Sequence, residues 1–310
     1  MGMDEAAGPT AARRSDAPPT RALSLSTVRT YRYLRLSVVG LALLLAVSLA
    51  LEVARTGGPL LESISAYYYS PVRGVLVGSL VAIGLALIAI AGRPGAEDTL
   101  LNLAGMLVPV VAFVPTPVEP AAAGGCPAGW ERCVPANLVP AVANNVGALL
   151  VVGGVGIAVA VWMVLAAGRP SVATRWGLTT AGLTWVAFGA WFLMWPRESF
   201  LAGAHYVAAV LFFGLVAAVA VLDAVRVRRR THVRVLSPRQ FSGSYGAIAV
   251  GMVGTIAVTG VVAGAEALTP FAAFDGWVFV VEAVLLVLFT VFWALQTAEN
   301  WEDGVPDPAP

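Results

Sequence analysis

The sequence predicts an all-α fold: a polytopic transmembrane helical bundle of about eight helices, with both termini on the cytoplasmic side. Three observations predict it. First, 58% of the 310 residues are apolar and 12% are charged. A soluble domain carries about a quarter charged residues, so this chain cannot cover a water-facing surface, and its mean hydropathy of +0.81 agrees. Second, the apolar residues fall in continuous runs of about 20, the length that crosses a hydrocarbon core. They lack the two-residue alternation of barrel strands. Third, the arginines gather on one side of those runs, as the positive-inside rule requires.

Residues 1–26 are rich in Ala, Pro, Gly, Asp and Arg and lack apolar periodicity, which predicts a disordered cytoplasmic tail. The first apolar run follows this polar stretch and carries no small-residue cleavage site, so a cleaved signal peptide is not expected. The transmembrane helical domain is placed at 27–297. Its expected spans are Leu34–Val53, Gly74–Ala91, Thr99–Val114, Val142–Ala166, Gly177–Trp195, Leu201–Val225, Ala247–Ala265 and Trp277–Leu295. The third is the weakest, being short and interrupted by Pro109. An extracytoplasmic loop is expected at 115–141, a basic cytoplasmic loop at 226–243 and a polar cytoplasmic tail at 298–310.

All 19 basic residues are arginine. With a cytoplasmic N-terminus, only Arg55, Arg73, Arg132 and Arg197 fall outside, and the others fall inside, loop by loop. Tyr67, Tyr68, Tyr69, Trp191, Trp195 and Trp277 are expected at the outer interface. Tyr31, Tyr33, Trp176, Trp293 and Trp301 are expected at the inner one. The two cysteines, Cys126 and Cys133, land in the outer loop, where a disulfide persists. Neither belongs to a CxxC or CxxH pair, so no thiolate metal site is expected. Gly153, Gly154 and Gly156, and the GxxxG pair Gly260 and Gly264, are read as helix-packing positions.

Net charge is +1, which gives no basis for a nucleic-acid partner. The sequence holds no GxSxG elbow, no HExxH and no phosphate-binding GxxxxGK[ST] loop. His232 sits in the basic loop RVRRRTHVR, read as an orientation signal that also suits anionic headgroups.

The informative residues are ionisable groups near or inside the apolar runs, because a charge at mid-bilayer costs roughly 2.5–3.5 kcal/mol. Glu282 lies five residues past Trp277, about 8 Å along the helix. It falls on one stripe with Asp275, Phe289 and Gln296, expected to face the bundle. Together Glu62, Ser65, Arg73, His205 and Glu282 fall at similar depth near the outer face and form a candidate polar pocket. The plain alternative is that Arg73 neutralises Glu282, His205 bonds a backbone carbonyl and the tyrosines of ESISAYYYSP anchor the interface. On the inner side Asp98 is read as a helix cap, with Asn102 one turn on extending a polar patch. Asp223 beside Arg226 is read as a surface ion pair.

The strings ESISAYYYSPVRGVLVGSLVAIGLALIAIAG, DTLLNLAGMLVPVVAFVPT, AHYVAAVLFF and EAVLLVLFTVFWALQ resemble, in this order, a group of uncharacterised bacterial polytopic membrane proteins. The arrangement is also loosely similar to the Frag/DRAM/Sfk-like families. The resemblance implies a helical membrane bundle with no established activity, and points to Glu62, Ser65, Asp98, His205 and Glu282. Ser65, Asp98 and His205 also match, distantly, the pattern of ceramidase-like membrane hydrolases. The chain departs from that pattern in having no HxxxH pair and one histidine near a span, which argues against zinc hydrolysis.

The resulting expectation is an integral protein of the cytoplasmic (inner) membrane, without cofactor or metal. It would bind a lipid or small molecule in an outward-facing polar pocket, with transport or sensing as variants. The alternatives are a membrane-embedded enzyme acting on a lipid, or a structural partner of another membrane protein.

Overall fold

The computed structural model describes residues 25–90, 92, 95–168, 170–229 and 236–301. The tails before 25 and after 301, Arg93, and His232 with most of its basic loop lie outside these residues. The described chain is helical throughout: α1 (Leu25–Thr56), a 3-10 turn (Ser65–Tyr69), α2 (Arg73–Ala89), α3 (Ala96–Phe113), the one-turn α4 (Pro120–Ala123), α5 (Val139–Ala166), α6 (Val172–Met194), α7 (Arg197–Val227), α8 (Pro238–Leu268) and α9 (Trp277–Glu299). The one β-type pairing among the described residues is an isolated antiparallel bridge between Val118 and Cys133.

Seven of these helices are long and apolar enough to cross a membrane. The eighth, α2, has 17 residues, about 26 Å at 1.5 Å per residue, slightly under a 30 Å hydrocarbon core. The protein is therefore a multi-pass membrane protein built as a helical bundle. Several boundaries differ from expectation: α5 begins at Val139, inside the expected outer loop, α7 runs on to Val227, inside the expected basic loop, and α9 runs on to Glu299, inside the expected tail. Helix α1 begins at Leu25, inside the stretch read as a tail, and α8 begins at Pro238, inside the stretch read as a basic loop. Ser237 makes the α8 start: it accepts from the Gln240 N–H, and the Gln240 side chain returns to the Ser237 N–H. This capping box satisfies two otherwise orphaned donors.

The span that looked weakest is the most buried. Half of the apolar window of α3 is covered by protein, and α3 packs mainly on α2 and α7. Pro109 is accommodated because its neighbour is glycine. A Cβ on Gly84 would sit 2.8 Å from the Gly105 carbonyl and 3.0 Å from Pro109 Cδ. A Cβ on Gly105 would sit 2.7 Å from the Gly84 carbonyl. The proline has no N–H to give Gly105, and the carbonyl it leaves free lies against α2.

The glycines of α5 divide. Gly153 and Gly154 receive the Trp185 indole of α6, whose N–H donates to the Leu150 carbonyl at 2.8 Å. Gly156, Gly260 and Gly264 have open space where a side chain would be, so within this chain they do not serve as packing positions. The aromatic belt also needs correction. Trp293 is fully buried, and Tyr67 and Tyr68 are 3% and 5% exposed. These rings are packed inside the protein rather than placed at a lipid–water boundary.

Candidate functional site

At the end of the bundle that carries the disulfide, ESISAYYYSP folds inward. Tyr67 and Tyr68 pack with Leu45, Leu49, Val72 and Leu76, between α1 and α2. Tyr67 also meets Phe279 of α9, with ring centroids 6.1 Å apart. The segment is a plug, held on two sides. On the α9 side, Glu282 accepts from the Ser65 N–H at 3.1 Å and from the Ser65 hydroxyl at 3.0 Å, and Phe279 N–H donates to the Glu62 carbonyl at 2.9 Å. On the loop side, Tyr69 donates its hydroxyl to the Thr116 carbonyl at 2.8 Å. Glu62 pairs with Arg132, which also donates to the Pro117 carbonyl. Burial pushes the Tyr69 phenol above its ordinary range, so it stays a neutral donor. Burial works against the Arg132 charge, and the facing Glu62 carboxylate more than offsets it, leaving the guanidinium above its usual value.

Cys126 and Cys133 are joined by a disulfide. It stands beside Arg132 and beside the paired backbones of Val118 and Cys133, so the covalent loop fixes the strap that holds the plug.

The five residues of the expected outer pocket thus divide between separate partners. Glu282 and Ser65 meet. Glu62 is tied to the same plug but turns its carboxylate to Arg132. Arg73 donates to the Tyr68 carbonyl at 2.6 Å and lies over the Tyr68 ring at 4.6 Å; it does not pair with Glu282. His205 is buried, with Nδ1 2.7 Å from the Val114 carbonyl. Of the expected stripe, Phe289 and Gln296 are buried while Asp275 is exposed.

At the opposite, arginine-rich end, Asp98 accepts from the Gly92 N–H at 3.1 Å and from Asn102 at 3.2 Å. It therefore caps the turn entering α3 rather than the helix itself, which starts at Ala96 with no side-chain cap. Gly92 is required there, because a Cβ would meet Asp98 Cα at 2.6 Å.

Beside this turn lies the densest polar assembly among the described residues. Arg226 of α7 reaches Glu97 of α3 at 2.7 Å, Asp223 of its own helix, and Glu299 of α9 at 3.5 Å. Gln296 donates to Asp223 Oδ2 at 3.0 Å, and Tyr245 of α8 donates to Glu299 at 2.7 Å. Arg35 of α1 and Asn300 both donate to the Gln296 carbonyl, at 3.1 and 2.8 Å. Five helices meet here, four through charged or amide side chains and α8 through the Tyr245 phenol. Asp223 is 0% exposed, Gln296 1% and Arg35 3%. Asp223 and Arg226 are therefore no surface pair, the correction that matters most for function. Sequence reading passed over Tyr245 and Glu299, took Arg35 only as one of the inner-side arginines, and took Glu97 only as a carboxylate suited to the start of the third span. The available signal was the stripe through Phe289 and Gln296, which Glu299 nearly continues.

Comparison of the chain with family models, curated proteins and solved structures gives no match.

Proposed function

We propose that the chain is a non-enzymatic multi-pass protein of the cytoplasmic membrane, with both termini cytoplasmic, that binds a small molecule at the arginine-rich end of its bundle. Transport and sensing are variants of that activity. The observation that carries this reading is the ionic cluster of Glu97, Asp223, Arg226 and Glu299 where five helices join, its three carboxylates buried and Arg226 partly so. Ionisable groups inside a membrane bundle are expensive and mark ligand or ion paths by default. A cluster that served only to join helices could be replaced by apolar packing at little cost.

The orientation rests on the arginine bias and on the disulfide, which belongs in an oxidising compartment. The four quoted motifs support kinship with the uncharacterised bacterial polytopic families as part of the same proposal. Lipid hydrolysis finds less support. Ser65 gives its hydroxyl to Glu282 and His205 has Nδ1 on the Val114 carbonyl, so neither is poised toward the other as nucleophile and base.

Gentle purification followed by native mass spectrometry tests the reading. A stoichiometric bound species that disappears in Asp223→Asn, with folding retained, is the expected result. Bulk lipid alone in both proteins would overturn it.

A further inference from the structure

At the disulfide end of the bundle, away from the ionic cluster, a cavity of about 120 Å³ lies between the disulfide-bonded loop and the first turns of α7. Trp130, Arg132, Arg197 and Glu198 line it and are exposed, whereas Val134 and Leu201 line it and are buried. A charged rim over an apolar floor suits a small organic group better than a bare ion, since ligand sites pair apolar walls with a few placed polar groups. The volume is well under the roughly 300 Å³ of a drug-sized pocket, so the group it takes is small.

The charges define that group. Arg132 is already engaged: Nε and Nη2 donate to the Pro117 carbonyl, and Nη2 also meets Glu62. Arg197 lies over the Phe192 ring at 5.9 Å. Neither Arg197 nor Glu198 belongs to an ion pair among the described residues, with each other or with a third group. Both are exposed and are stable when hydrated; their selectivity comes from sharing one cavity with an aromatic face. A purely anionic ligand would meet the Glu198 carboxylate, and a purely cationic one would meet two guanidinium groups. A ligand with one anion and one ammonium suits both, and the Trp130 ring adds a face that attracts an ammonium.

Depth supplies the rest. Arg197 follows Leu193, Met194 and Trp195, three exposed apolar residues where α6 ends. Such a surface faces lipid, and an exposed tryptophan at a helix end marks the headgroup level. We propose that the cavity binds a phosphate–ammonium zwitterion of the phosphoethanolamine type, with the phosphate on Arg197 and the ammonium between Glu198 and Trp130. Arginine is the side chain best suited to hold phosphate oxygens. Arg132 lines the same cavity and pairs with Glu62 of the plug, so the occupant sits against the strap.

Lipid titration of the full-length protein in detergent, with the first bound lipid counted by native mass spectrometry, tests this. Phosphatidylethanolamine is compared with phosphatidylglycerol of the same acyl chains, which keeps the phosphate and lacks the ammonium. Wild type is expected to bind the ethanolamine lipid several-fold more tightly. Glu198→Gln is expected to remove that preference, and Arg197→Met to weaken the binding of both lipids. Should Glu198→Gln fail to fold, Trp130→Leu takes its place, with a reduced preference expected. Equal binding of the two lipids to wild type would overturn the proposal, as would a preference that survives both Glu198→Gln and Trp130→Leu. Water-soluble glycerophosphoethanolamine separates the sources of the zwitterion: displacement of the bound lipid supports a free molecule as the ligand, and no displacement supports the membrane lipid. Asp223→Asn, at the other end of the bundle, is expected to keep the lipid preference, so failure of the ligand reading above and failure of this one show separately.

Discussion

Ser65 offers both its backbone N–H and its hydroxyl to the two carboxylate oxygens of Glu282, 217 positions further along the chain. The pair fastens a 3-10 turn to the side of α9. One acidic residue within an apolar helix is thereby accounted for by a hydrogen-bonded lock. Glu282→Gln keeps the shape and exchanges one acceptor oxygen for a donor. It is expected to cost about 1–3 kcal/mol, read as a lower unfolding midpoint in detergent. An unchanged midpoint would show that the lock contributes nothing.

The α2–α3 crossing predicts a contrast between glycines. Gly105→Ala would push a methyl into the Gly84 carbonyl and the Ile88 side chain, each 2.7 Å away, costing about 1–3 kcal/mol through overpacking. Gly264→Ala, in open space, is expected to stay within about 0.5 kcal/mol. Thermal unfolding of both variants in the same detergent checks the order.

Arg226 compensates several buried carboxylates at once. Arg226→Met leaves Asp223 and Glu97 buried without this cation, and a loss of about 3–5 kcal/mol is expected. Arg197, exposed at the start of α7, serves as the comparison, and Arg197→Met is expected to be nearly neutral. Equal losses would place the cluster at the surface after all.

The disulfide loop closes over a sequence separation of seven, for which restraint of the unfolded loop contributes about 2–3 kcal/mol. Reduction is expected to add the mass of two hydrogens and to speed amide exchange in residues 62–70, because Arg132 then loses its fixed position beside Glu62. Faster exchange confined to residues 115–135 would separate the strap from the plug.

The bundle was readable because bilayer thickness imposes a length on each apolar run; seven helices meet it and α2 falls just short. The sites were less readable, because burial at a helix end depends on neighbours far away in sequence. Asp223 and Arg226 sit where a span meets a basic loop, and by themselves resemble any interfacial ion pair. Only the approach of α3, α8 and α9 encloses them. Gly84 and Gly105 show the same limit: each is a lone glycine in an apolar run, and their meaning arises from facing one another. The tyrosines misled for a related reason. A run of three aromatics at a helix entry suits the interface, and the sequence carries no sign that the chain folds back between α1 and α2. By contrast Glu282 was legible as a group needing a protein partner, since a short carboxylate about 8 Å into an apolar helix has few other options. The partner proved to be Ser65.

Where a bound molecule sits is the most direct test of the account. Wild type, Glu282→Gln and Asp223→Asn would be purified in parallel, matched for folding, and their bound species quantified by native mass spectrometry. A stoichiometric species is expected in wild type and in Glu282→Gln, and its loss in Asp223→Asn. Loss in Glu282→Gln with retention in Asp223→Asn would contradict it, moving the site to the disulfide end of the bundle.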